Sequence, residues 1–177
     1  YRHEMSDEME ELPDGTFRRI IRARLTVRGF KDRYKNELES YAGTSSRVSQ
    51  RLICSEASLH QWELISTDIP TAFRQGVTYA ELAKMTGAPL REVNFYLPPV
   101  SIEIPEKIAG FENFNPALEV LHNDKPGTGS VDSPRAFSMK LKQVLIDTCH
   151  MIPTRCDPEL LTLRKEDTLV AIMTVHV

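Results

Sequence analysis

A chain of 177 residues, with 41% hydrophobic and 27% charged residues, has an ordinary globular composition and enough length for one domain with a hydrophobic core. No apolar run approaches the roughly 20 residues of a membrane helix, and the first residues do not show the pattern of a signal peptide. Three scattered cysteines argue against a disulfide framework and favour a reducing, intracellular compartment.

The net charge of −3 is unevenly distributed along the chain. Acidic residues dominate the first eleven positions, and we expect residues 1–17 to form an acidic, disordered lead-in to a domain over residues 18–177. Residues 18–35 then carry eight cations against a single acid, Asp32. A cationic stretch of this kind is suited to binding a polyanion even in an acidic protein.

The predicted elements of the first half follow from periodicity and turn residues. Residues 20–28 alternate apolar and polar or cationic side chains, which predicts a strand with arginines on one face. A simple solvated face remains the alternative reading of those arginines. The further predictions are a helix over residues 46–61 with Val48, Leu52 and Ala57 on its apolar side, a strand over 62–69 ended by Pro70, a helix over 79–85 and a strand over 93–97.

The second half begins with residues 100–117, whose Pro, Glu and Asn content predicts a loop. Ser133 and Pro134 have the pattern of an N-cap and a first helical residue, and the apolar side chains that follow on one face are Phe137, Leu141, Val144 and Leu145. Two strands are predicted over 160–164 and 168–177, the second apolar enough to be a central strand. The pattern predicts an α+β fold. Because the last strand reaches Val177 without a turn, we expect the natural sequence to continue.

Asp68 is the clearest candidate for chemistry because it lies at the end of the apolar strand predicted over residues 62–69. A carboxylate at a strand end can bind Mg²⁺, which prefers oxygen ligands and often shares them with a substrate phosphate. The alternative is an aspartate that caps the next turn. Other motifs are weaker: the glycines at 127 and 129 lack the Gly-Lys-Ser/Thr ending of a phosphate loop, and the cysteines lack the paired spacing of a zinc site.

Several blocks of this sequence resemble copia-type retrotransposon reverse transcriptases. Residues 22–30, Arg-Ala-Arg-Leu-Thr-Val-Arg-Gly-Phe, are similar to the family's Lys-Ala-Arg-Leu-Val-Ala-Arg-Gly-Phe. Trp-Glu-Leu at 62–64, Asp-Ile-Pro-Thr-Ala-Phe at 68–73 and Gly76 resemble Trp-Glu-Leu-x-x-x-Asp-Val-x-x-Ala-Phe-x-x-Gly. The remaining similar blocks are 93–99, Gly129 with 133–137, 157–160 and 175–177. Each block alone is weak, but together they run in family order over about residues 20–177.

The resemblance implies the fingers and partial palm of a right-hand polymerase, truncated before the Asp-Asp hairpin. It implies templated DNA synthesis on RNA or DNA, with a primer, a deoxynucleoside triphosphate and two Mg²⁺ ions, Mn²⁺ being an alternative. One metal ion would activate the primer 3′-hydroxyl and the other would hold the triphosphate. It also implies a polyprotein with integrase and RNase H, and a location in cytoplasmic particles and the nucleus.

The resemblance also implies roles for individual residues. Asp68 would be the first of three catalytic, metal-binding carboxylates, with the backbone carbonyl of Ile69 as a further ligand. Phe73 would lie under the sugar of the incoming nucleotide and exclude a 2′-hydroxyl, although a core phenylalanine is the alternative. The implied nucleotide-binding residues are completed by Arg22, Arg24 and Gly129, and the nucleic-acid-binding residues are Arg28, Lys31 and Arg135. Which arginine faces the triphosphate stays open.

The sequence departs from the family at several points. Thr128 replaces a tyrosine, residues 130–132 replace Leu-Lys-Gln, His176 replaces the tyrosine of the last motif, and residues 77–92 resemble an insertion. The two aspartates of the last motif would follow Val177, so we expect residues 1–177 alone not to polymerise DNA. The alternatives are a catalytically dead remnant that retains at most nucleic-acid binding, and an unrelated α+β binding module.

Overall fold

A computed structural model of the chain describes the backbone of residues 2–97 and 108–177, and the side chains of residues 6–21, 26–97 and 108–177. These residues form three helices and seven strands in small antiparallel sheets, a mixed architecture compatible with the predicted α+β class. The chain divides into two compact units, Tyr1–Glu37 with Thr78–Val131, and Leu38–Val77 with Asp132–Val177. Within the described ranges, no helix is long and apolar enough to cross a membrane.

The first unit begins with a long β-hairpin. Strands β1 (Arg2–Glu11) and β2 (Phe17–Thr26) pair antiparallel over ten residues each. The turn between them contains Gly15 with a φ of +79°, and Asp14 Oδ1 accepts a hydrogen bond of 2.9 Å from the Thr16 N–H. Gly and Asp suit such a turn because glycine tolerates a positive φ and aspartate bonds its neighbouring backbone.

Residues 2–11, within the lead-in for which we expected disorder over residues 1–17, are described as strand β1. The acidic stretch pairs along the whole length of the basic strand. Glu10 lies opposite Arg18. Asp7 lies opposite Ile21, and Arg19, two residues away from Ile21 on β2, is on the same face of the hairpin as Asp7. Carboxylates and guanidinium groups on neighbouring strands attract one another. The composition of the acidic stretch alone does not reveal this pairing, which depends on the basic strand that follows it.

The first unit also contains one helix and a short strand pair. Helix α2 (Tyr79–Thr86) starts with a capping box, in which Thr78 and Glu81 bond each other's backbone N–H, and it ends at Gly87 with a φ of +72°. Strand β3 (Val93–Phe95) pairs with β4 (Leu121–Asn123). The predicted helix and strand are thus both present. Of the loop predicted over 100–117, residues 108–117 form turns only, and residues 98–107 lie outside the described residues.

The second unit contains two helices. Helix α1 (Arg47–His60) is capped by Ser46, whose side chain accepts a hydrogen bond from the Ser49 N–H. Helix α3 (Ser133–Gln143) continues as a π-helical turn over Val144–Thr148. Its N-cap residue is Asp132 rather than the predicted Ser133, which lies inside the helix ahead of Pro134.

A three-stranded sheet in the order β5-β6-β7 completes the second unit, with β5 at Ile152–Pro153, β6 at Leu160–Lys165 and β7 at Thr168–Thr174. A turn joins β6 and β7 in the gap between the two predicted strands, and Glu166 and Asp167 adopt φ values of +49° and +64° there. The prediction of a central last strand is wrong for the described sheet, because β6 occupies the centre and β7 an edge. Leu145, Met151, Leu161 and Val175 form a buried hydrophobic cluster in this unit.

The face that helix α1 buries against the rest of the second unit differs from the predicted face. Ala57 is buried as expected, but Val48 is 75% exposed and Leu52 is 42% exposed. The buried positions are Ser49 and Ala57, eight residues apart on one helical face. The aliphatic stripe that the sequence pattern assigned to the core therefore faces solvent in this structure.

Candidate functional site

The segment that carries Asp68 belongs to no helix or strand. Residues 62–69 form no strand, which corrects the predicted strand ending at Pro70. No described strand pairs with these residues, and a strand needs a neighbour for its backbone groups. Trp62 instead stacks on His60 with ring centroids 5.0 Å apart, directly after the helix-ending Gln61 with a φ of +59°.

Asp68 and Ile69 have different environments within this segment. The Asp68 side chain is exposed, and Ile69 is half-buried. The chain then turns at Thr71, which has a φ of +53°, into a single 3₁₀ turn over Ala72–Gln75. The Gln75 side-chain N–H₂ donates a hydrogen bond of 2.8 Å to the Pro70 carbonyl, which ties this turn to the Asp68 segment.

The turn after Asp68 is anchored to helix α3. The Val77 N–H donates a hydrogen bond of 3.2 Å to the Ala136 carbonyl. A Cβ added to Gly76 would lie 3.0 Å from the Ala136 carbonyl carbon and from the Phe137 nitrogen, so glycine allows this close approach. Two of the sequence blocks, 68–76 and 133–137, are thereby packed together inside the second unit. Phe73, in the connecting turn, is half-buried.

The described residues do not by themselves form the implied two-metal site. No group of three or more His, Cys, Asp or Glu side chains suited to a metal ion occurs among the residues that the structure describes. Asp68 offers one exposed carboxylate, and Mg²⁺ can be bound through one or two carboxylates only when substrate phosphates and water complete its shell. The donor set among the described residues is therefore incomplete for two metal ions.

The cationic candidates lie on the hairpin and the turn that follows it. The backbones of Arg22 and Arg24 belong to β2, opposite Ser6 and Glu4, and their side chains are outside the described ones. Arg28 is exposed beside a 3₁₀ turn over Gly29–Lys31, and Lys31 is exposed at its end. These residues and Gly129 belong to the first unit, whereas Asp68, Ile69, Phe73 and Arg135 belong to the second.

Gly129 meets the chain just after β2. The Val27 N–H donates to the Thr128 carbonyl at 2.8 Å, and the Gly29 N–H donates to the Gly129 carbonyl at 3.1 Å. Gly129 has a φ of +89°, and a Cβ there would collide with the Val27 carbonyl oxygen. We predicted that Gly129 allows close approach of a nucleotide, and the structure supplies a second requirement for glycine, which is contact with the backbone of residues 27–29.

Arg135 is engaged within the second unit. Its guanidinium Nη1 lies 2.5 Å from Glu39 Oε1, with 19% of the Arg135 side chain and 67% of the Glu39 side chain exposed. The predicted contact between Arg135 and nucleic acid would compete with this ion pair. The partly buried position on α3 follows from the helix start at Ser133, which places Ala136 and Phe137 against the rest of the unit.

Ion pairs within the hairpin were missed by the sequence analysis. Arg18 Nη2 lies 2.8 Å from Glu10 Oε2, and the Arg19 guanidinium donates two hydrogen bonds to the Asp7 carboxylate. The Arg19 guanidinium lowers the pKa of Asp7, and the carboxylate in turn raises the pKa of Arg19. The available signal was the ten-residue match between an acidic run and a basic run separated by Pro-Asp-Gly.

A buried polar cluster around Asp157 was also missed, although Asp157 lies in one of the resemblance blocks. Asp157 Oδ2 accepts hydrogen bonds from the Ser49 hydroxyl at 2.5 Å and the Ser46 N–H at 2.8 Å, and Oδ1 accepts one from the Glu159 N–H at 2.9 Å. The Ser49 hydroxyl, followed by the Ser46 N–H, lowers the pKa of Asp157 to about 2. Buried Glu159 forms an ion pair of 2.5 Å with Lys142.

No known family model, curated protein or solved structure matches this chain. The sequence motifs, the local geometry and the chemistry of the named residues are therefore the basis for any statement about function.

Proposed function

We propose that this chain is the fingers and partial palm of a copia-type retrotransposon reverse transcriptase. The observation that carries the proposal is the order of the motifs: blocks similar to the family's occur in family order from residue 20 to residue 177. Any one block is short enough to arise by chance. Their shared order over most of the chain is much harder to obtain from an unrelated α+β protein.

Packing of the motif-bearing segments within each unit supports the proposal. Gly76 and Val77 contact the block at 133–137, and residues 27–29 contact Gly129. In the second unit the Val175 N–H donates to the Glu159 carbonyl at 2.9 Å, which joins the last two blocks. Residues that specify one shared architecture would be expected to meet in this way. The mixed α and β structure is compatible with the α+β class to which the proposed fold belongs.

In the proposed enzyme, Asp68 is a metal-binding carboxylate and Mg²⁺ supplies charge for nucleotidyl transfer to a primer 3′-hydroxyl. The exposed Asp68 side chain is accessible to a hydrated cation and to a substrate phosphate. Further carboxylates would come from sequence beyond Val177, as the family motif implies. Exposed Arg28 and Lys31 would contact the phosphate backbone of the template or primer.

The decisive experiment is primer extension by a chain that is continued beyond Val177 with its native sequence. Metal-dependent incorporation of deoxynucleotides on a primed template is expected for the extended parental protein. Asp68→Asn removes a negatively charged oxygen ligand with little change in shape, and we expect it to lower incorporation by about 10²–10³-fold, as loss of an electrostatic catalytic group does. Binding to the primed template should change less than about twofold.

A matched control is Asp147→Asn, which removes the same charge from an exposed residue outside the motif blocks. It should extend primers at the parental rate. Incorporation by Asp68→Asn at the parental rate would show that Asp68 is not a metal-binding catalytic residue. An inactive but folded parental protein that still binds primed template would favour the second candidate, a catalytically dead remnant. The incomplete donor set among the described residues is the observation that keeps this candidate open.

A further inference from the structure

The hairpin of β1 and β2 places an acidic strand directly beside the cationic strand. In its register Arg18 is opposite Glu10, Arg24 is opposite Glu4 and Ile20 is opposite Glu8. Five arginines and six acidic residues lie between Arg2 and Thr26, so the hairpin as a whole carries a net charge of −1. A cationic strand paired in this way presents far less positive potential to a polyanion than its own sequence suggests.

The ion pairs of the hairpin engage the same guanidinium groups that a phosphate would need. Arg19 donates to both oxygens of Asp7 through Nε and Nη2, the bidentate geometry that arginine also uses for phosphate. Arg18 donates through Nη2 to Glu10 at 2.8 Å. A carboxylate and a phosphate therefore compete for the same donors, and one must leave before the other binds.

Both ion pairs lie at the surface, where they can be exchanged. The exposed fractions are 63% for Arg18 and 40% for Glu10, and 73% for Arg19 and 52% for Asp7. Water and salt screen exposed pairs, so each holds its arginine only weakly. A nucleic-acid strand with closely spaced phosphates can displace these carboxylates, but it must do so at a cost in affinity.

We propose that strand β1 is an intramolecular competitor that limits nucleic-acid binding by strand β2. Asp7 occupies the guanidinium group of Arg19, and Glu10 occupies that of Arg18. The ligand is a single-stranded nucleic acid, recognised through its phosphates. The proposal rests on the proposed function for the choice of this polyanion. Its consequence is that neutralising two acidic residues strengthens binding without adding a contact. The exposed cations Arg28 and Lys31, which take part in none of the described ion pairs, supply the basal affinity.

The test is the affinity of the full 177-residue chain for a fluorescein-labelled 20-nucleotide oligothymidylate, measured by anisotropy over a range of salt concentrations without metal or nucleotide. Two variants neutralise the acids: Asp7→Asn with Glu10→Gln, and Asp7→Thr with Glu10→Thr, in which threonine favours a strand. Each is expected to bind at least about tenfold more tightly at low salt. Its slope of log affinity against log salt should steepen by about 1.4, the value for two new phosphate contacts to a single strand.

The matched control is Glu92→Gln with Asp147→Asn, which makes the same change in net charge at exposed positions outside the hairpin. It should raise affinity by less than about threefold. Adding Arg18→Gln and Arg19→Gln to either neutralised variant should remove the gain. The proposal is overturned if the hairpin variants gain no more than the control, or if the gain survives loss of both arginines. Because no incorporation is measured, inactivity of an extended polymerase would leave this result unaffected.

Discussion

Gly129 illustrates how one residue can join two distant segments of the first unit. Its φ of +89° is a conformation that L side chains adopt at a cost, and a Cβ at this position would also collide with the Val27 carbonyl oxygen. Gly29, on the other segment, is similarly confined, because a Cβ there would collide with the Gly129 carbonyl oxygen. The two glycines permit the pair of backbone hydrogen bonds between residues 27–29 and 128–129.

We therefore expect Gly129→Ala to destabilise this contact by about 1–3 kcal/mol, the cost of a strained backbone residue. The measurement is amide hydrogen exchange at Val27, whose N–H donates to the Thr128 carbonyl. Gly127→Ala is the matched control, because a Cβ at Gly127 meets no atom within 4 Å. Equal protection of the Val27 amide in both variants would show that Gly129 is retained for another reason, such as approach of a nucleotide.

At the scale of elements, the apolar stripe of helix α1 is not the face of the helix that is buried. Val48, Leu52 and Leu59 recur at spacings of four and seven residues, as one apolar stripe, yet all three are exposed. The face that packs contains smaller side chains, Ser49 and Ala57, and Ser49 bonds directly to Asp157. Because these side chains are small, the helix can lie close enough to the segment around Asp157 for that hydrogen bond to form.

This arrangement predicts opposite effects for two substitutions in α1. Val48→Ser should change the free energy of unfolding by no more than about 0.5 kcal/mol, because its side chain faces solvent. Ala57→Leu should cost about 1–3 kcal/mol, because added methylene groups in a close-packed position force neighbouring atoms apart. The fluorescence of Trp62, the single tryptophan, follows urea unfolding close to the end of this helix. If Val48→Ser lowers the free energy of unfolding more than Ala57→Leu does, the stripe that contains Val48 is the buried face.

Elements with local signals were the ones that could be predicted from the sequence. The Thr78 and Glu81 capping box, Gly87 and the turn after β6 are specified by residues next to one another in the chain. The predicted strand over 62–69 failed because its formation depends on a partner strand elsewhere. The same limit applies to β7. Its apolar composition predicts burial, but its position at the edge of the sheet depends on which strands pair with one another.

The candidate site shows the same division at the scale of the whole molecule. Asp68, Phe73 and Gly129 are predicted from short sequence motifs, and such a prediction uses no information about the surroundings of each residue. The engagement of Arg135 by Glu39, of Arg19 by Asp7 and of Asp157 by Ser49 depends on pairings between separate segments. Charge patterns in a sequence show which groups are available, whereas the fold determines which of them are already neutralised by a neighbour.

Asp157 provides a long-range contact for stability, because it joins residues more than 100 positions apart in the chain. Its carboxylate accepts hydrogen bonds from Ser46 and Ser49 at the start of α1, while its own segment leads into the central strand β6. Closing so long a loop is costly in conformational entropy, and a charged acceptor with three donors offsets part of that cost. The acid stability of the protein should depend on this carboxylate.

The sign of the pH dependence follows from the pKa of Asp157, which folding lowers to about 2. A lowered pKa means that the unfolded chain takes up a proton first, so the contribution to stability is complete above the ordinary aspartate pKa of about 4 and is lost as the pH falls towards 2. Asp157→Asn should lower the thermal midpoint by several degrees near neutral pH, and the difference from the parental protein should shrink steadily below about pH 4. Circular dichroism melting curves between about pH 7 and pH 2 measure this, with Asp147→Asn as the control of equal charge. A difference that stays constant over the whole range would show that the ionised form of Asp157 contributes nothing to stability, and that its hydrogen bonds are those of a neutral group.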